Sequence, residues 1–283
     1  MSCPDCFAGH INPSTPTGHV TTLHGLDVYI AEPPENTEPK GIIVIIPDAF
    51  GWEFVNNRIL ADHYAQRGGF RVLLPDFMKG TAAPVYMLDA VRGVMATGSL
   101  WDWVVKPYHI LSTLSGFIPF IARNYPGKSY PIVESFFSAL RRTTNPQTAI
   151  GAAGFCWGGK HAVALAHGAS TDVNGVSTRL IDAGFTGHPS FLAVPGDIEK
   201  IVVPVSFALG ELDSVLKGES IRVVQRVVEE REGEVGGEVK VYLGAGHGFC
   251  VRADTAVPDS SRQAGEAEEQ AVAFFQRVFG RRA

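Results

Sequence analysis

One cysteine of the chain lies in a pattern that is typical of nucleophiles. Residues 154–158 are Gly-Phe-Cys-Trp-Gly, and this G-x-C-x-G form is the nucleophile elbow with cysteine in place of serine. An elbow is a strained turn between a strand and a helix, and glycines at its ends let the two elements approach each other. The helix that follows favours a thiolate at its positive end. We therefore predict that Cys156 is a nucleophile; the alternative is a buried cysteine in a glycine-rich turn.

A histidine that could act as the base follows the last predicted strand. His247 lies in Gly-Ala-Gly-His-Gly at 244–248, a flexible loop at the carboxyl end of that strand. From there an imidazole can take the proton of Cys156 and return it to a leaving group. The chain has nine histidines. We select His247 because it lies at the carboxyl end of a strand and follows the nucleophile in the sequence. A surface loop histidine is the alternative.

Two carboxylates compete for the role of the acid that orients this imidazole. Residues 210–213 are Gly-Glu-Leu-Asp and follow another predicted strand, so Glu211 and Asp213 both lie between the nucleophile and the histidine. We favour Asp213, which would accept the far N–H of His247 and stabilise its cationic form. An aspartate that begins a helix can also be an N-cap. The order nucleophile, acid, histidine is that of α/β-hydrolases and differs from that of papain-like cysteine enzymes.

Backbone N–H groups near the cysteine could stabilise an oxyanion, which needs two preorganised donors. Trp157 supplies the N–H that follows the nucleophile, and Ala49 is the expected second donor, in the loop Pro-Asp-Ala-Phe-Gly at 47–51. In the same loop we expect the carboxylate of Asp48 near the sulfur and Phe50 beside the substrate. The alternative is that Asp48 is an ordinary turn residue after a strand, with no role in the site.

These candidate residues require strands that end at a common edge of a sheet. Apolar runs and alternation predict strands at 26–30, 41–46, 70–74, 149–155, 183–186, 201–209 and 239–243, the first of them an edge strand. Helical spacing of apolar residues predicts helices that begin near Val55, Gly158, Ile221 and Ala264. Together they predict an α/β-hydrolase fold, a mostly parallel, doubly wound sheet with helices on both faces, in one domain over 1–283. In such sheets ligands bind at the carboxyl ends of the strands.

The composition indicates a soluble chain. With 283 residues, 45% of them hydrophobic, it can bury a sheet on both faces. The formal net charge is −5 and no block of like charge occurs, which argues against nucleic acid or an anionic membrane as a partner. The first residues lack the features of a secretion signal, and the apolar stretch at 110–121 is too short for a bilayer span.

The four cysteines are too few to cross-link a domain of this size, which fits a reducing compartment, and we predict a cytoplasmic location. Cys3 and Cys6 form a C-x-x-C pair ahead of any predicted strand. A zinc site would need four ligands, and although His10 and His19 could contribute, no second C-x-x-C follows. We therefore expect an ordered N-terminal loop and no metal.

Several motifs together resemble the dienelactone hydrolase family, and its fungal-type members in particular. They are Cys-Pro-Asp-Cys at 3–6, Pro-Asp-Ala-Phe-Gly-Trp at 47–52, Leu-Pro-Asp-Phe at 74–77, Gly-Phe-Cys-Trp-Gly-Gly at 154–159, Gly-His-Pro-Ser-Phe at 187–191 and Gly-His-Gly-Phe at 246–249. The resemblance covers nearly the whole chain. It implies a triad of Cys156, Asp213 and His247, and hydrolysis of lactones or activated esters without a metal or organic cofactor.

Three positions bear on the substrate that this resemblance implies. The best-studied branch of the family has glutamate where Asp48 lies, in contact with the resting cysteine, and aspartate is one methylene shorter. That branch also binds a substrate carboxylate with arginines. Arg252 lies near one such position in a shifted register, so a dienelactone carboxylate does not follow. His188 would line the pocket by the same resemblance, although a histidine before a proline can equally be structural.

The segment 81–131 is richer in aromatic residues than a crossover connection needs. These residues are Tyr86, Trp101, Trp103, Tyr108, Phe117, Phe120, Tyr125 and Tyr130. Since the segment leaves a strand at its carboxyl end, we expect an insertion that forms part of the pocket, with Trp101 and Trp103 contacting the substrate. This predicts a preference for bulky or aromatic lactones and esters. For most of these rings, helix packing on the sheet is the alternative.

We expect a cysteine hydrolase that cleaves a lactone or ester through a thioester intermediate. Two alternatives would use the same residues: an isomerase or cyclase that acts on a polyketide-like substrate, and a ligand sensor on a hydrolase scaffold. Only hydrolysis must place a solvent oxygen in the product. The pattern makes no prediction about the oligomeric state.

Overall fold

The computed structural model describes residues 9–96 and 98–281, so the Cys3 and Cys6 pair lies outside the described residues. At its centre is an eight-stranded sheet, and a two-stranded hairpin lies apart from it. The strands are β1 (His19–Leu23), β2 (Leu26–Ala31), β3 (Ile42–Ile46), β4 (Arg71–Pro75), β5 (Ile150–Phe155), β6 (Ser170–Val173), β7 (Val176–Arg179), β8 (Ala183–Gly187), β9 (Val205–Gly210) and β10 (Glu238–Tyr242).

The sheet is antiparallel at one edge and parallel elsewhere. Its strands follow in the order β1-β2-β4-β3-β5-β8-β9-β10, and the pairs β1–β2 and β2–β4 are antiparallel. The remaining pairs are parallel. Every residue of β3 and β5 is buried, which requires that both faces of the sheet are covered. This is the mostly parallel α/β-hydrolase sheet that the sequence predicts.

Helices cover the sheet between successive strands. In the described ranges they are α1 (Val55–Gly68), α2 (Met87–Met95), α3 (Leu100–Asn124), α4 (Pro126–Thr143), α5 (Trp157–Leu165), α6 (Gly196–Glu199), α7 (Gly218–Glu230), α8 (Glu232–Val235) and α9 (Pro258–Phe279). α1 packs against α9 and α4 against α5, while α5 and α9 contact central strands. Gly69 caps the C-terminus of α1 with a φ of 72°, and its N–H donates to the carbonyl of Ala65.

Two strands differ from their predictions. β2 is not the edge strand, because β1 pairs with it on the outside; β1 is mostly exposed and shows no apolar alternation. β9 begins at Val205 and not near Ile201, since Pro204 lacks the N–H that a strand ladder needs. The other predicted strands agree with the structure to within a residue at each end.

Most of the segment 81–131 is helical and forms α2, α3 and the start of α4. α3 begins with a capping box, in which the Ser99 hydroxyl accepts the N–H of Asp102 and the Asp102 carboxylate accepts the N–H of Ser99. Pro126 is the first residue of α4, where a helix does not need its missing N–H. None of the helices described, α3 included, combines the length and apolar character of a membrane span.

Candidate active site

The turn between β5 and α5 has the geometry of a nucleophile elbow. Cys156 has φ 51° and ψ −111°, a conformation that is unfavourable for a residue with a Cβ. A Cβ on Gly154 would lie 2.2 Å from the carbonyl oxygen of Gly158, and one on Gly158 would lie 2.0 Å from that of Ile46. Glycine is therefore required at both positions, and the turn holds the sulfur at the carboxyl end of the sheet.

Three side chains that follow different strands form a hydrogen-bonded chain. Sγ of Cys156 lies 3.2 Å from Nε2 of His247, and Nδ1 of His247 lies 2.9 Å from Oδ2 of Asp213. All three residues are buried. Asp213 is fixed in place because its Oδ1 accepts the N–H groups of Val215 and Leu216. This arrangement can move a proton from a thiol to the imidazole and stabilise the cation that results.

The protonation of His247 depends on its charged neighbours. Burial lowers the pKa of His247, but the negative charge of a Cys156 thiolate and the hydrogen bond to Asp213 outweigh burial and raise the pKa to about 9. The imidazole therefore keeps its proton at neutral pH when the thiolate lies beside it. Such a pair is a thiolate and an imidazolium, the reactive form of a cysteine nucleophile.

The two candidate acids lie in different places. Asp213 contacts the imidazole of His247 directly, with both carboxylate oxygens. Glu211 is exposed, and its Oε2 accepts the N–H of Gly244 at 2.9 Å. Glu211 thus supports the loop that carries His247, and the geometry favours Asp213 as the residue that orients the ring.

Ser190 also lies at the site, although the sequence patterns did not predict it. Its Oγ lies 3.3 Å from Sγ of Cys156 and 3.5 Å from Nε2 of His247, and its N–H donates to the Cys156 carbonyl at 2.9 Å. Ser190 follows β8, which is the neighbour of β5 in the sheet. Because parallel strands bring their carboxyl ends to one edge, a hydroxyl just after the neighbouring strand was a signal that could have identified it.

The two expected oxyanion donors lie on backbone that hydrogen bonds hold in place. Trp157 is the first residue of α5, where N–H groups have no acceptor within the helix. Its indole Nε1 donates to the carbonyl of Asn124 at 2.6 Å, which joins the elbow to the end of α3. Ala49 is buried in the loop after β3, and its carbonyl accepts the N–H of Ala83 at 2.8 Å.

Asp48 and Arg252 form a buried ion pair in this region. Nη1 of Arg252 donates to Oδ2 of Asp48, whose Oδ1 accepts the side-chain amide of Asn57 at 3.0 Å and the N–H of Phe50 at 3.2 Å. Burial raises the pKa of Asp48, Arg252 lowers it, and the charge of a Cys156 thiolate raises it again, with a net rise. The guanidinium of Arg252 is fully buried and pairs with Asp48.

His188 and Phe50 are buried packing partners of the site. The ring of His188 lies edge-on to that of His247, with centroids 5.0 Å apart. Neither ring nitrogen of His188 has a hydrogen-bond partner in the described part of the chain, and burial, then the charges of His247 and Arg252, hold its pKa well below the ordinary value. The ring of Phe50 contacts Phe54 and lies under the guanidinium of Arg252. His188 is thus buried against the ring of His247.

Trp101 and Trp103, which we expect to contact the substrate, are largely exposed on α3. Their exposed fractions are 69% and 61%, because α3 packs its opposite side against α2 and turns these rings outward. A different aromatic pair lies beside the site. Phe191 directly follows Ser190, and its ring contacts that of Tyr125 with centroids 6.5 Å apart.

The chain matches known proteins over most of its length. The family model described as "dienelactone hydrolase family" matches residues 26–279. Hydrolase tropI of Talaromyces stipitatus is 28% identical over 277 residues, which are 97% of this chain and 95% of that protein. A carboxymethylenebutenolidase homolog of Mus musculus is 25% identical, and the match covers 88% of this chain and 86% of that protein.

Solved structures share the fold. A dienelactone hydrolase from Anabaena variabilis has a TM-score of 0.53 and 14% identity, over 92% of this chain and 99% of that one. Identity this low shows the fold alone. The family match, in contrast, spans the elbow, the acid and the histidine loop. The chain therefore belongs to the dienelactone hydrolase family, and it is an ester or lactone hydrolase.

Proposed function

We propose that this chain hydrolyses a lactone or ester through a thioester on Cys156. The observation that carries the proposal is the chain of contacts from Sγ of Cys156 to Nε2 of His247, at 3.2 Å, and from Nδ1 of His247 to Asp213, at 2.9 Å. It supplies a nucleophile, a base, and an acid that orients the base. Membership of a hydrolase family supports the reaction class.

In the first half-reaction the thiolate of Cys156 attacks the carbonyl carbon, and the carbonyl π electrons move to the oxygen. The N–H groups of Trp157 and Ala49 donate to this oxyanion. When the tetrahedral intermediate collapses, the bond from carbon to the leaving oxygen breaks, and the imidazolium of His247 gives its proton to that oxygen. The products are a thioester and an alcohol, which stays attached to the acyl group if the substrate is a lactone.

In the second half-reaction the neutral His247 takes a proton from water, and the water oxygen attacks the thioester carbonyl. The same two N–H groups stabilise the second oxyanion. Its collapse breaks the C–S bond, so that Cys156 leaves as a thiolate beside the protonated His247. Asp213 stabilises the imidazolium in both half-reactions.

Turnover in heavy-oxygen water tests this reaction class. A panel of lactones and aryl esters is incubated with the enzyme, and the products are analysed by mass spectrometry. Hydrolysis places one solvent oxygen in the acid product, whereas an isomerase or cyclase places none. A slowly cleaved aryl ester should also leave its acyl group on the peptide that contains Cys156. Unlabelled products throughout would refute hydrolysis, and an acyl group on another residue would refute the cysteine mechanism.

Replacing Ser190 should change the ionisation of Cys156. A hydroxyl 3.3 Å from the sulfur can donate to the thiolate, and a hydrogen bond to a charged group contributes about 1.5–3 kcal/mol. We expect Ser190→Ala to move the midpoint pH for alkylation of Cys156 upward by about one to two units and to lower kcat/KM about tenfold. Iodoacetamide rates across a pH series measure the midpoint.

Ser129→Ala is the matched control for this experiment. Ser129 is also buried, and its Oγ lies 3.1 Å from Nε2 of a different histidine, His161. This variant should keep the wild-type alkylation profile. If Ser190→Ala keeps that profile as well, the Ser190 hydroxyl only packs against the sulfur.

Asp48→Asn should make the resting Cys156 more reactive. The change removes a negative charge that opposes the thiolate and also removes the carboxylate that offsets the cation of Arg252, and both effects favour the thiolate. We expect alkylation at neutral pH to become several-fold faster. The free energy of unfolding should fall by about 3–5 kcal/mol, because one partner of a buried ion pair is lost. Iodoacetamide rates and denaturant unfolding measure the two effects.

Asp182→Asn separates the local effect from the loss of stability. Asp182 pairs with the buried Arg141 at 2.8 Å, so its replacement also breaks a buried ion pair and should destabilise the chain. The alkylation rate of Cys156 should not change in this variant. Equal acceleration in both variants would mean that loosened packing, and not the charge of Asp48, exposes the thiol.

A further inference from the structure

The side of α3 that points away from α2 is apolar along most of its length. Its apolar residues have exposed fractions between 42% and 69%, and they are Trp101, Trp103, Val104, Tyr108, Ile110, Leu111, Leu114 and Ile118. These residues are here named the outer face of α3. Single exposed apolar side chains are ordinary on a protein surface, but a continuous apolar face marks an interaction site.

The outer face of α3 is large enough for a protein interface. At these exposures its three aromatic side chains present roughly 300–500 Å², and its five aliphatic side chains add on the order of 200–300 Å². The total approaches the roughly 800 Å² that each partner buries in a standard protein–protein interface. This exposed apolar area also equals or exceeds the roughly 300–600 Å² of the largest apolar patch on a typical monomer.

The spacing of this face is typical of helices that pair with other helices. Positions 101, 104, 108, 111, 115, 118 and 122 are exposed, are separated alternately by three and four residues, and carry Trp, Val, Tyr, Leu, Ser, Ile and Ala. A repeat that averages about 3.5 residues presents one straight stripe of side chains to a second helix alongside. The pattern therefore predicts a helical partner.

We propose that this partner is a second copy of the chain, with the two α3 helices packed antiparallel about a two-fold axis at Leu111. Each position then faces the position equally far beyond Leu111 in the other copy. Val104 faces Ile118, and Tyr108 faces Leu114. The large Trp101 faces the turn that contains the small Ala122. Each of these contacts then occurs twice, once on each side of the axis, as a two-fold interface requires.

The charges at the two ends of α3 favour the same arrangement. Asp102 lies in the first turn of α3 and Arg123 in the last. Antiparallel pairing brings Asp102 of one copy within a turn of Arg123 in the other, and the two-fold axis makes this contact twice. Parallel pairing would place like charges side by side. The helix dipoles also oppose each other in the antiparallel pair.

A membrane surface suits the outer face of α3 less well. Helices that lie on membranes carry several Lys and Arg residues along their polar side. α3 has one lysine, Lys106, whose ammonium lies 4.4 Å from the ring of Trp103, and one arginine, Arg123. The net charge of −5 also opposes binding to anionic lipid.

Sedimentation analysis tests the proposal. The 30.4 kDa chain should sediment at twice that mass at micromolar concentration. Leu111→Glu should sediment as a monomer, because the two-fold axis places the two new carboxylates against each other. Val176→Glu is the control, since Val176 is 64% exposed on the hairpin strand β7, and it should stay dimeric. Because both replaced side chains are exposed, circular dichroism should show the native fold in each variant.

Cysteine cross-linking tests the register of the two helices. With Cys3 and Cys6 replaced by serine, Leu111→Cys should form an intermolecular disulfide on oxidation, because the residue faces its own copy. Val104→Cys should cross-link only when it is combined with Ile118→Cys. A monomeric wild type, or a Leu111→Glu variant that stays dimeric, would overturn the proposal. Binding of a monomer to vesicles of phosphatidylcholine and phosphatidylserine, with loss in Leu111→Glu, would assign the face to a membrane and also overturn it.

Discussion

Cys156→Ala should lower kcat/KM by about 10⁴-fold or more, because a nucleophile and its base act as a unit and the loss of either removes most of the acceleration. The alanine methyl cannot form a thioester, while the backbone of the elbow and its N–H groups remain. Cys156→Ser should recover little of the activity, since a hydroxyl is a weaker nucleophile than a thiol at neutral pH. Initial rates on the most rapidly cleaved ester of the panel provide the measurement.

Cys250→Ala is the matched control for the loss of a thiol. Cys250 is a second buried cysteine, three residues after His247, and burial raises its pKa well above the ordinary value. A thiol that stays protonated does not attack a carbonyl. We therefore expect this variant to keep its turnover and its acyl group on Cys156. Inactivity of a folded Cys250→Ala variant, or full activity of Cys156→Ala, would show that the nucleophile is wrongly assigned.

Asp213→Asn should reduce kcat by about 10³–10⁴-fold. The asparagine keeps an oxygen for the N–H groups of Val215 and Leu216, but its amide points an N–H towards Nδ1 of His247 and so disfavours the productive tautomer. The hydrogen bond that Asp213 accepts from Nδ1 of His247 also helps to raise the pKa of His247 to about 9. Without it that pKa falls, so the fall in activity at alkaline pH should begin at lower pH. A kcat profile from neutral to alkaline pH measures both effects.

Glu211→Gln is the comparison that ranks the two acids. The glutamine side chain can still accept the N–H of Gly244, so the loop that carries His247 should keep its position. We expect kcat within about threefold of the wild type, because an exposed side chain that does not contact the imidazole contributes little to its charge. A larger loss in Glu211→Gln than in Asp213→Asn would reverse the assignment.

The elbow and the parallel sheet could be predicted because their requirements are local. Strain at Cys156 and close contact at Gly154 and Gly158 restrict the residues that fit there, and these restrictions appear directly in the sequence. Fully buried strands such as β3 are equally visible as unbroken apolar runs. The family and the α/β-hydrolase fold predicted from these patterns are confirmed.

Other features could not be predicted because tertiary contacts determine them. β1 forms by pairing with β2, and its exposed residues show no pattern of their own. The position of Ser190 after a predicted strand is visible in the sequence, but its contact with the sulfur depends on β8 neighbouring β5, an adjacency that the order of strands along the chain does not state. The aromatic content of the segment 81–131 likewise did not reveal which side of α3 would carry Trp101 and Trp103.

The hydrogen bond from the Trp157 indole to Asn124 also gives the protein an optical reporter. Trp157 is fully buried, so dissolved iodide cannot quench its emission, whereas Trp101 and Trp103 are exposed and open to quenching. The fourth tryptophan, Trp52, is half-buried, so the measurement uses a Trp52→Phe variant. In that variant, emission that iodide cannot reach comes mainly from the elbow, and emission that it removes comes mainly from the outer face of α3. When α3 separates from α5, the indole of Trp157 becomes exposed to water and its emission shifts to longer wavelength. Fluorescence alone can thus show whether this helix detaches before the sheet unfolds.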